Sequence, residues 1–260
     1  MDQATACGRR CSQGRDINPD NHEIEPAAAA AQHEVAHTAT NPQSDTVPGL
    51  LVQQNVTTFT ASQTTNGVIT EVVFTITENV YLVCDGCTGL DDLKIYSETK
   101  VGATNGPNAQ NILNDTKLSL AANVVAEIVA ESTAQGVDSA VTLGMAQKES
   151  FFGTVSGGQI PEMQSHINPL KLTRNQFADG TQPSSTDMRH NVRNAIRLFK
   201  DDKMAGGRTL AEGLFRYGPG NAQDPNYVSR VMGYSNQIRA SSSTASSNPY
   251  TFHMVTIDRR

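Results

Sequence analysis

Residues 136–150 constrain the fold of this chain more than any other stretch of its sequence. Asp138 follows Gly136-Val137 and precedes a mostly apolar run, which predicts a helix over residues 138–149 with Asp138 as its N-cap. The run ends in Glu149-Ser150, so the Glu149 carboxylate lies at the negative end of the helix dipole. This position disfavours the ionised carboxylate and suits a general acid, although most glutamates at helix ends are simply solvated.

Composition limits how much of the chain a single core can hold. Hydrophobic residues make up only 37% of the sequence and there is no Trp, so part of the chain is expected to lie outside the core. Residues 1–104 carry thirteen acidic and five basic side chains, an imbalance that argues against nucleic-acid binding. No stretch has the length of a transmembrane helix, and no secretory signal peptide is visible.

The N-terminal half is expected to contain a flexible arm followed by a small β-rich unit. Residues 1–48 are polar and Ala-rich without apolar periodicity, which predicts the flexible arm. Residues 49–104 are rich in Val, Ile, Thr, Phe and Tyr, and Asn66-Gly67 between two such runs predicts a β-hairpin. Residues 101–114 are rich in Gly, Asn and Pro and are interpreted as a linker that begins within this unit.

Two motifs in this half are compatible with metal binding, but each has a simpler interpretation. His33-Glu34-Val35-Ala36-His37 matches the H-E-x-x-H pattern of zinc peptidases, yet too little chain precedes it for the sheet that usually supports such a helix. A short polar helix or a disordered arm is favoured there. Cys84-Asp85-Gly86-Cys87 is compatible with zinc, thiol exchange or a disulfide, and a turn with free or paired cysteines is favoured. We therefore predict no metal site and no cofactor.

Residues 115–239 have the pattern of a helical domain. An amphipathic stripe over residues 118–132 predicts a helix that ends at Gly136. Further helices are predicted over residues 187–200, after Thr209 and over residues 227–238, and Arg189 and His190 are interpreted as part of a solvated face. Residues 151–183 are irregular, which is typical of a loop that lines a site. Residues 240–260 are interpreted as a Ser-rich linker with a tail, where residues 250–257 form either a short strand or a loose end.

Five short motifs in this second half resemble, in their order, the soluble lytic transglycosylase family of the lysozyme-like superfamily. They are a helix ending in Glu149-Ser150, the turn Asn168-Pro169-Leu170-Lys171, the segment from Asn191 to Phe199, the helix end Arg216-Tyr217-Gly218-Pro219-Gly220, and the segment from Tyr227 to Val231. The family carries Gln where this chain has Lys171, and it carries an Asn that is absent after Tyr217. The resemblance implies an α+β fold, mainly an α lysozyme-like catalytic domain with the small β-rich unit on its N-terminal side.

The resemblance also implies cleavage of the β-1,4 bond between N-acetylmuramic acid and N-acetylglucosamine in peptidoglycan glycan strands. In this reaction the 6-hydroxyl of the sugar attacks its own anomeric carbon and leaves a 1,6-anhydro end. A single glutamate with a raised pKa then suffices as acid and base, because no second carboxylate is needed. Glu149 is the candidate catalytic residue, and the candidate substrate-binding residues are Ser150, Leu170, Lys171, Tyr217 and Tyr227.

The N-terminal half suggests where such an enzyme works. An acidic arm, an appended β-rich unit and the missing signal peptide suit a phage enzyme associated with the virion, which contacts other virion proteins and acts on the bacterial periplasm or cell wall. Three alternatives stay open from the sequence. They are a peptidoglycan endopeptidase or muramidase on the same fold, a zinc metallopeptidase that uses His33 to His37, and a non-catalytic virion or wall-binding protein.

Overall fold

A computed structural model describes residues 34–36, 44–84, 86, 92–155, 164–172, 183–218, 224–245 and 250–258. These residues belong to one compact unit, His33–Arg260. The arm predicted for residues 1–48 lies largely outside the described residues. In the described part of the chain, no helix combines the length and the apolar character that crossing a membrane requires.

A long, largely antiparallel sheet is the centre of this unit. Its strands are β1 (Glu34–Ala36), β2 (Ser44–Thr65), β3 (Val68–Val83), β4 (Lys94–Asn105), β5 (Ser242–Ala245) and β6 (Thr251–Asp258). Strand β3 lies between β2 and β4, while β5 and β6 both pair with the other edge of β2. Strand β1 runs parallel to β4.

The hairpin predicted at Asn66-Gly67 is confirmed. Thr65 pairs with Val68, which leaves a two-residue turn between β2 and β3. Asn66 has φ 51° and Gly67 has φ 79°, the left-handed pair that a type I′ turn requires. The twist of this turn matches the twist of the strands, and the two strands stay paired back to Gly49 and Val83.

Five helices complete the described residues, and the predicted N-cap of the second is confirmed. They are α1 (Asp115–Gln135), α2 (Ser139–Ser150), α3 (Met188–Leu198), α4 (Leu210–Tyr217) and α5 (Tyr227–Arg239). The side chain of Asp138 accepts a hydrogen bond from the Ala140 amide at the start of α2. Thr209 and Glu212 form the predicted capping box of α4. Helix α3 continues into a π-helical segment, Phe199–Lys203.

The predicted fold class, a mainly α lysozyme-like domain with a small N-terminal β-rich unit, is wrong. The sheet is large and central, and it is built from both ends of the chain. Strand β2 begins at Ser44 inside the predicted arm, and β4 continues to Asn105, which lies inside the predicted linker of residues 101–114. Strands β5 and β6 come from residues interpreted as a linker and tail. Of the two alternatives for residues 250–257, the strand is the observed one.

The sheet buries opposite faces at its two ends. Near the hairpin, Phe59 and Phe74 stack with ring centroids 5.1 Å apart and form one core with the helices. At the other end, a second cluster contains Leu51, Tyr81, Val83, Tyr96 and Val255. Side chains alternate along a strand, so Phe74 and Tyr81 on β3 face opposite ways. A register shift between Leu51 and Gln53 produces the same reversal on β2, because one extra residue exchanges the two faces.

Candidate functional site

The end of α2 is anchored to the sheet by two consecutive phenylalanines. Phe151 and Phe152 follow Ser150 with φ 46° and 55°, a left-handed conformation that is strained for bulky side chains. Both are buried, and the Phe152 ring lies 4.8 Å from the Phe74 ring, centroid to centroid. This packing stabilises the strained backbone and fixes Glu149, in the last turn of α2, relative to the sheet.

Helices α2 and α5 approach each other closely beside this end. A Cβ atom added to Gly144 would lie 2.6 Å from the Ser235 hydroxyl oxygen and 2.9 Å from the Val231 carbonyl oxygen. Only glycine allows this approach. Further along the same contact, the Tyr227 ring at the start of α5 lies over Lys148, with the ammonium 5.7 Å from the ring centroid.

A loop over residues 164–172 is attached to the same end of α2 by buried hydrogen bonds. The Ser150 hydroxyl donates to the Pro169 carbonyl at 2.8 Å and accepts from the Gly153 amide at 2.8 Å. The Tyr217 hydroxyl, at the end of α4, donates to the Leu170 carbonyl at 2.9 Å. Helices α2 and α4 therefore both hold this loop, and the buried Leu170 and Ser150 serve in positioning it.

Glu149 is the ionisable group at the centre of this arrangement. Burial raises the pKa of its carboxyl above the ordinary value, more than the Tyr227 hydroxyl and the charges of Lys171 and Lys148 lower it. The Asp224 charge adds to the increase. A glutamate in such surroundings keeps its proton to a higher pH than a solvated one, as a general acid must.

Two tyrosine hydroxyls accompany this carboxyl. Burial and the Glu149 charge raise the pKa of both Tyr217 and Tyr227 well above the ordinary value, so both hydroxyls stay neutral donors. The Tyr227 hydroxyl is close enough to Glu149 for each to change the pKa of the other. It nevertheless has no aligned hydrogen-bond partner among the described residues.

Sequence reasoning missed an ion pair at this site. Lys148 binds Asp224 with 2.7 Å between the ammonium nitrogen and a carboxylate oxygen, next to Tyr227. Lys148 could have been suspected from its position beside Glu149, but Asp224 is brought there only by the packing of α5. Among other carboxylates of the helical half, Asp187 caps α3, and Glu162 and Asp179 lie outside the described residues.

All six candidate residues lie around the same end of α2. Glu149 and Ser150 are on the helix, Leu170 and Lys171 are in the loop, Tyr217 ends α4 and Tyr227 begins α5. The arrangement contains one carboxyl with a raised pKa, two neutral tyrosine hydroxyls, two ammonium groups and the Asp224 carboxylate that pairs with one of these. These groups can hold a proton, deliver it to a polar substrate and stabilise the carboxylate that remains.

The two motifs compatible with metal binding do not form a metal centre among the described residues. Glu34–Ala36 is a strand rather than the helix that an H-E-x-x-H zinc site needs, while His33 and His37 lie outside the described residues. No group of three or more His, Cys, Asp or Glu suited to a metal occurs in the described ranges. Cys84 forms a disulfide bond, so it is not a free thiol ligand.

Comparison with known proteins gives no relative. No protein-family model matches the chain, and neither a curated protein nor a solved structure shows significant similarity to it. The function therefore has to be argued from the groups around Glu149.

Proposed function

We propose that the protein is a peptidoglycan lytic transglycosylase in which Glu149 is both the acid and the base. The observation that carries this proposal is the burial-raised pKa of Glu149, at a helix end with the Tyr227 hydroxyl and two ammonium groups around it. Acid-catalysed cleavage of a glycosidic bond needs a carboxyl that is still protonated when the substrate binds. The motif order around the same residues supports the choice of peptidoglycan as substrate.

The reaction starts with Glu149 protonated. Its proton passes to the oxygen between the two sugars as the bond from that oxygen to the anomeric carbon breaks, and positive charge develops on the sugar ring. The 6-hydroxyl of the same sugar then bonds to the anomeric carbon and gives its proton to the Glu149 carboxylate. The products are a free hydroxyl end and a 1,6-anhydro end, and the enzyme regains its protonated Glu149.

The neighbours of Glu149 match the two halves of this cycle. Burial favours the protonated acid at the start, whereas Tyr227, Lys171 and Lys148 favour the carboxylate between the two steps. A carboxyl under both influences can give up its proton and take one back without a large energy cost in either direction.

One specific observation supports a muramidase as the second candidate. Asp224 is a carboxylate whose charge reaches Glu149, and a hydrolase would use it to activate a water or to stabilise the sugar cation. We favour the transglycosylase because Asp224 is bound to Lys148 at 2.7 Å. A hydrogen bond from Lys148 lowers the pKa of Asp224, which makes Asp224 a weaker base.

The expected place of action is outside the reducing cytosol. Disulfides persist in the periplasm and on virion and cell surfaces, and the disulfide at Cys84 supports such a location. An enzyme associated with the virion, acting on the cell wall of the host, fits this chemistry. Peptidoglycan glycan strands are then its substrate, and neighbouring virion proteins are its partners.

Digestion of purified peptidoglycan by wild type and Glu149→Gln tests this function. The amide keeps the shape of the side chain but cannot donate and retake the proton, so we expect roughly a thousandfold loss of soluble fragments. Fragments made by the wild type should lack new reducing ends, because anhydro ends do not react with borohydride. Reducing ends in the wild-type digest would indicate the muramidase, and full activity of Glu149→Gln would reject Glu149 as the acid.

A further inference from the structure

Lys171 has an unusual backbone conformation at the site. Its φ is 51°, in the left-handed region that is unfavourable for a residue with a side chain. The buried residues Leu170 and Leu172 flank it on both sides. The ammonium of Lys171 is close enough to Glu149 for its charge to lower the pKa of that carboxyl.

The loop around Lys171 is held by hydrogen bonds that involve its neighbours. The Asn168 side chain donates to the Leu172 carbonyl at 2.9 Å and accepts from the Leu172 amide at 3.0 Å. The Pro169 and Leu170 carbonyls accept from Ser150 and Tyr217, and the Lys171 amide donates to the Asn168 carbonyl at 3.1 Å. The fixed loop therefore imposes the left-handed conformation of Lys171. Strained backbone conformations of this kind cluster at binding sites.

The two ammonium groups near Glu149 differ in their ion pairs. Lys148 is bound to Asp224. Lys171 has no ion pair with any residue in the described ranges. Glu149, whose carboxyl the Lys171 charge reaches, is protonated when the substrate binds and so does not neutralise that charge. Its charge is available for an anion that arrives with the substrate.

We propose that Lys171 binds a carboxylate of the peptidoglycan strand and thereby selects carboxylate-bearing substrate. This inference rests on the proposed function, since the substrate follows from it. Two sources of the same chemistry exist: the lactyl carboxylate of a muramic acid that has lost its peptide, and the free carboxylates of a stem peptide. Both place a negative charge near the sugar whose bond is cleaved.

Binding of this carboxylate also prepares the acid for its reaction. In the free enzyme the positive charge of Lys171 lowers the pKa of Glu149. A bound substrate carboxylate offsets part of that charge, so Glu149 holds its proton to a higher pH in the complex, while the Tyr227 hydroxyl and the Lys148 charge still favour the carboxylate that forms during the reaction. The alkaline limb of kcat is therefore expected at a higher pH than that of kcat/KM. In Lys171→Gln the alkaline limb of kcat/KM should move to a higher pH, because the charge that lowers the pKa of Glu149 in the free enzyme is gone.

The test compares wild type, Lys171→Gln and Lys171→Arg on matched glycan strands, with the exposed Lys117→Gln as a control. One pair of substrates is denuded strands with free lactyl carboxylates and the same strands after methyl esterification. The other pair is strands with free or amidated stem-peptide carboxylates. In only one of the two pairs should Lys171→Gln lower kcat/KM about tenfold, equivalent to about 1.4 kcal/mol. Within that pair, only cleavage of the strand that bears free carboxylates should be affected. Lys171→Arg should retain activity, and Lys117→Gln should match the wild type.

The pair that shows the loss identifies the source of the carboxylate. An equal loss on charged and neutral strands, or no loss on any strand, overturns the role of Lys171. Binding of the four strands to Glu149→Gln and to the double variant Glu149→Gln/Lys171→Gln, by calorimetry, separates this failure from failure of the proposed function. Weaker binding of charged strands to the double variant supports the role of Lys171 even if no anhydro ends form. Equal binding of the charged strands to both variants overturns it.

Discussion

Two glutamates in this molecule, Glu127 on α1 and Glu149 on α2, are both held in surroundings that raise the pKa of the carboxyl. Burial raises the pKa of Glu127 to about 7 despite the charge of Arg189. Glu127 lies at the contact between α1 and α3, where Arg193 donates to Glu131 at 2.9 Å and Arg189 donates to it at 3.2 Å. These carboxyls are surrounded by guanidinium groups that belong to the fold, which is the pattern of a structural ion-pair cluster.

The surroundings of Glu149 are different. Its neighbours are the Tyr227 hydroxyl, the charges of Lys148 and Asp224, and the ammonium of Lys171, which forms no ion pair with the described residues. A raised pKa is therefore insufficient to identify a catalytic carboxyl in this protein. The hydroxyl and ammonium groups around Glu149 can stabilise its carboxylate when it loses its proton. The guanidinium groups around Glu131 instead hold two helices together.

The largest expected effect is the contrast between Glu149→Gln and Glu127→Gln in activity. Glu149→Gln should lower the rate of peptidoglycan cleavage roughly a thousandfold, because the acid is lost. Glu127→Gln should leave the rate within about twofold, since Glu127 contacts no group of the proposed site. The release of soluble muropeptides measures both. Equal losses in the two variants would remove the distinction between the two glutamates.

The second contrast concerns stability at the α1–α3 contact. Arg193→Met removes a partner of the buried Glu131, and we expect the free energy of unfolding to fall by about 2 kcal/mol. Arg239→Met breaks the exposed pair with Asp138 and should cost less than about 1 kcal/mol. Urea unfolding gives both values. An Arg193→Met protein as stable as the wild type would show that the cluster does not stabilise the fold.

The third contrast lies within the site, between its two buried tyrosines. Tyr217→Phe leaves the buried Leu170 carbonyl without its donor, so it should lower the free energy of unfolding by about 1–2 kcal/mol. Tyr227→Phe removes a hydroxyl that has no aligned partner in the described residues and should cost much less. Thermal unfolding measures both changes. A larger loss for Tyr227→Phe would indicate that its hydroxyl is bonded to Glu149 in solution.

The last expected effect is a change in the pH dependence of stability. Burial raises the folded-state pKa of Glu127 from its ordinary value of 4.5 to about 7, so its contribution to stability is full below pH 4.5 and is lost as the pH rises towards about 7. The free energy of unfolding should therefore decline across this window, and the decline should be smaller in Glu127→Gln. Burial also opposes ionisation of Glu131, but the hydrogen bonds from Arg193 outweigh this effect and lower the pKa of Glu131. The stability that Glu131 contributes is therefore lost only below pH 4.5. Identical slopes in wild type and Glu127→Gln would contradict the raised pKa.

Local signals in the sequence predicted the local structure well. Asn66-Gly67 predicts the hairpin because only a left-handed pair makes that turn, and Asp138 predicts the start of α2 because its side chain caps the first amide. Both predictions depend on contacts between residues that are close in sequence. The six candidate residues lie around one end of α2, but the mainly α fold that the same motifs implied is wrong.

The predictions that failed depend on long-range pairing. Ser242–Ala245 is a Ser-rich segment with the composition of a linker, yet it pairs with Asn55–Thr58. An edge strand can be polar because only one of its sides is paired, so composition does not reveal it. For the same reason Arg189, interpreted as part of a solvated face, instead contacts Glu131 from a helix far along the chain. The local sequence carries little information about which distant segment pairs with the edge of a sheet, or which distant side chain neutralises a given charge.

The central claim is that the sugar's own hydroxyl, rather than water, completes the reaction that Glu149 begins. Digestion of peptidoglycan by the wild-type protein in water enriched in heavy oxygen, followed by mass spectrometry of the fragments, tests this claim most directly. We predict 1,6-anhydro ends that are one water lighter than hydrolysis products and that carry no label from the solvent. Fragments with solvent oxygen at the anomeric carbon would contradict the claim.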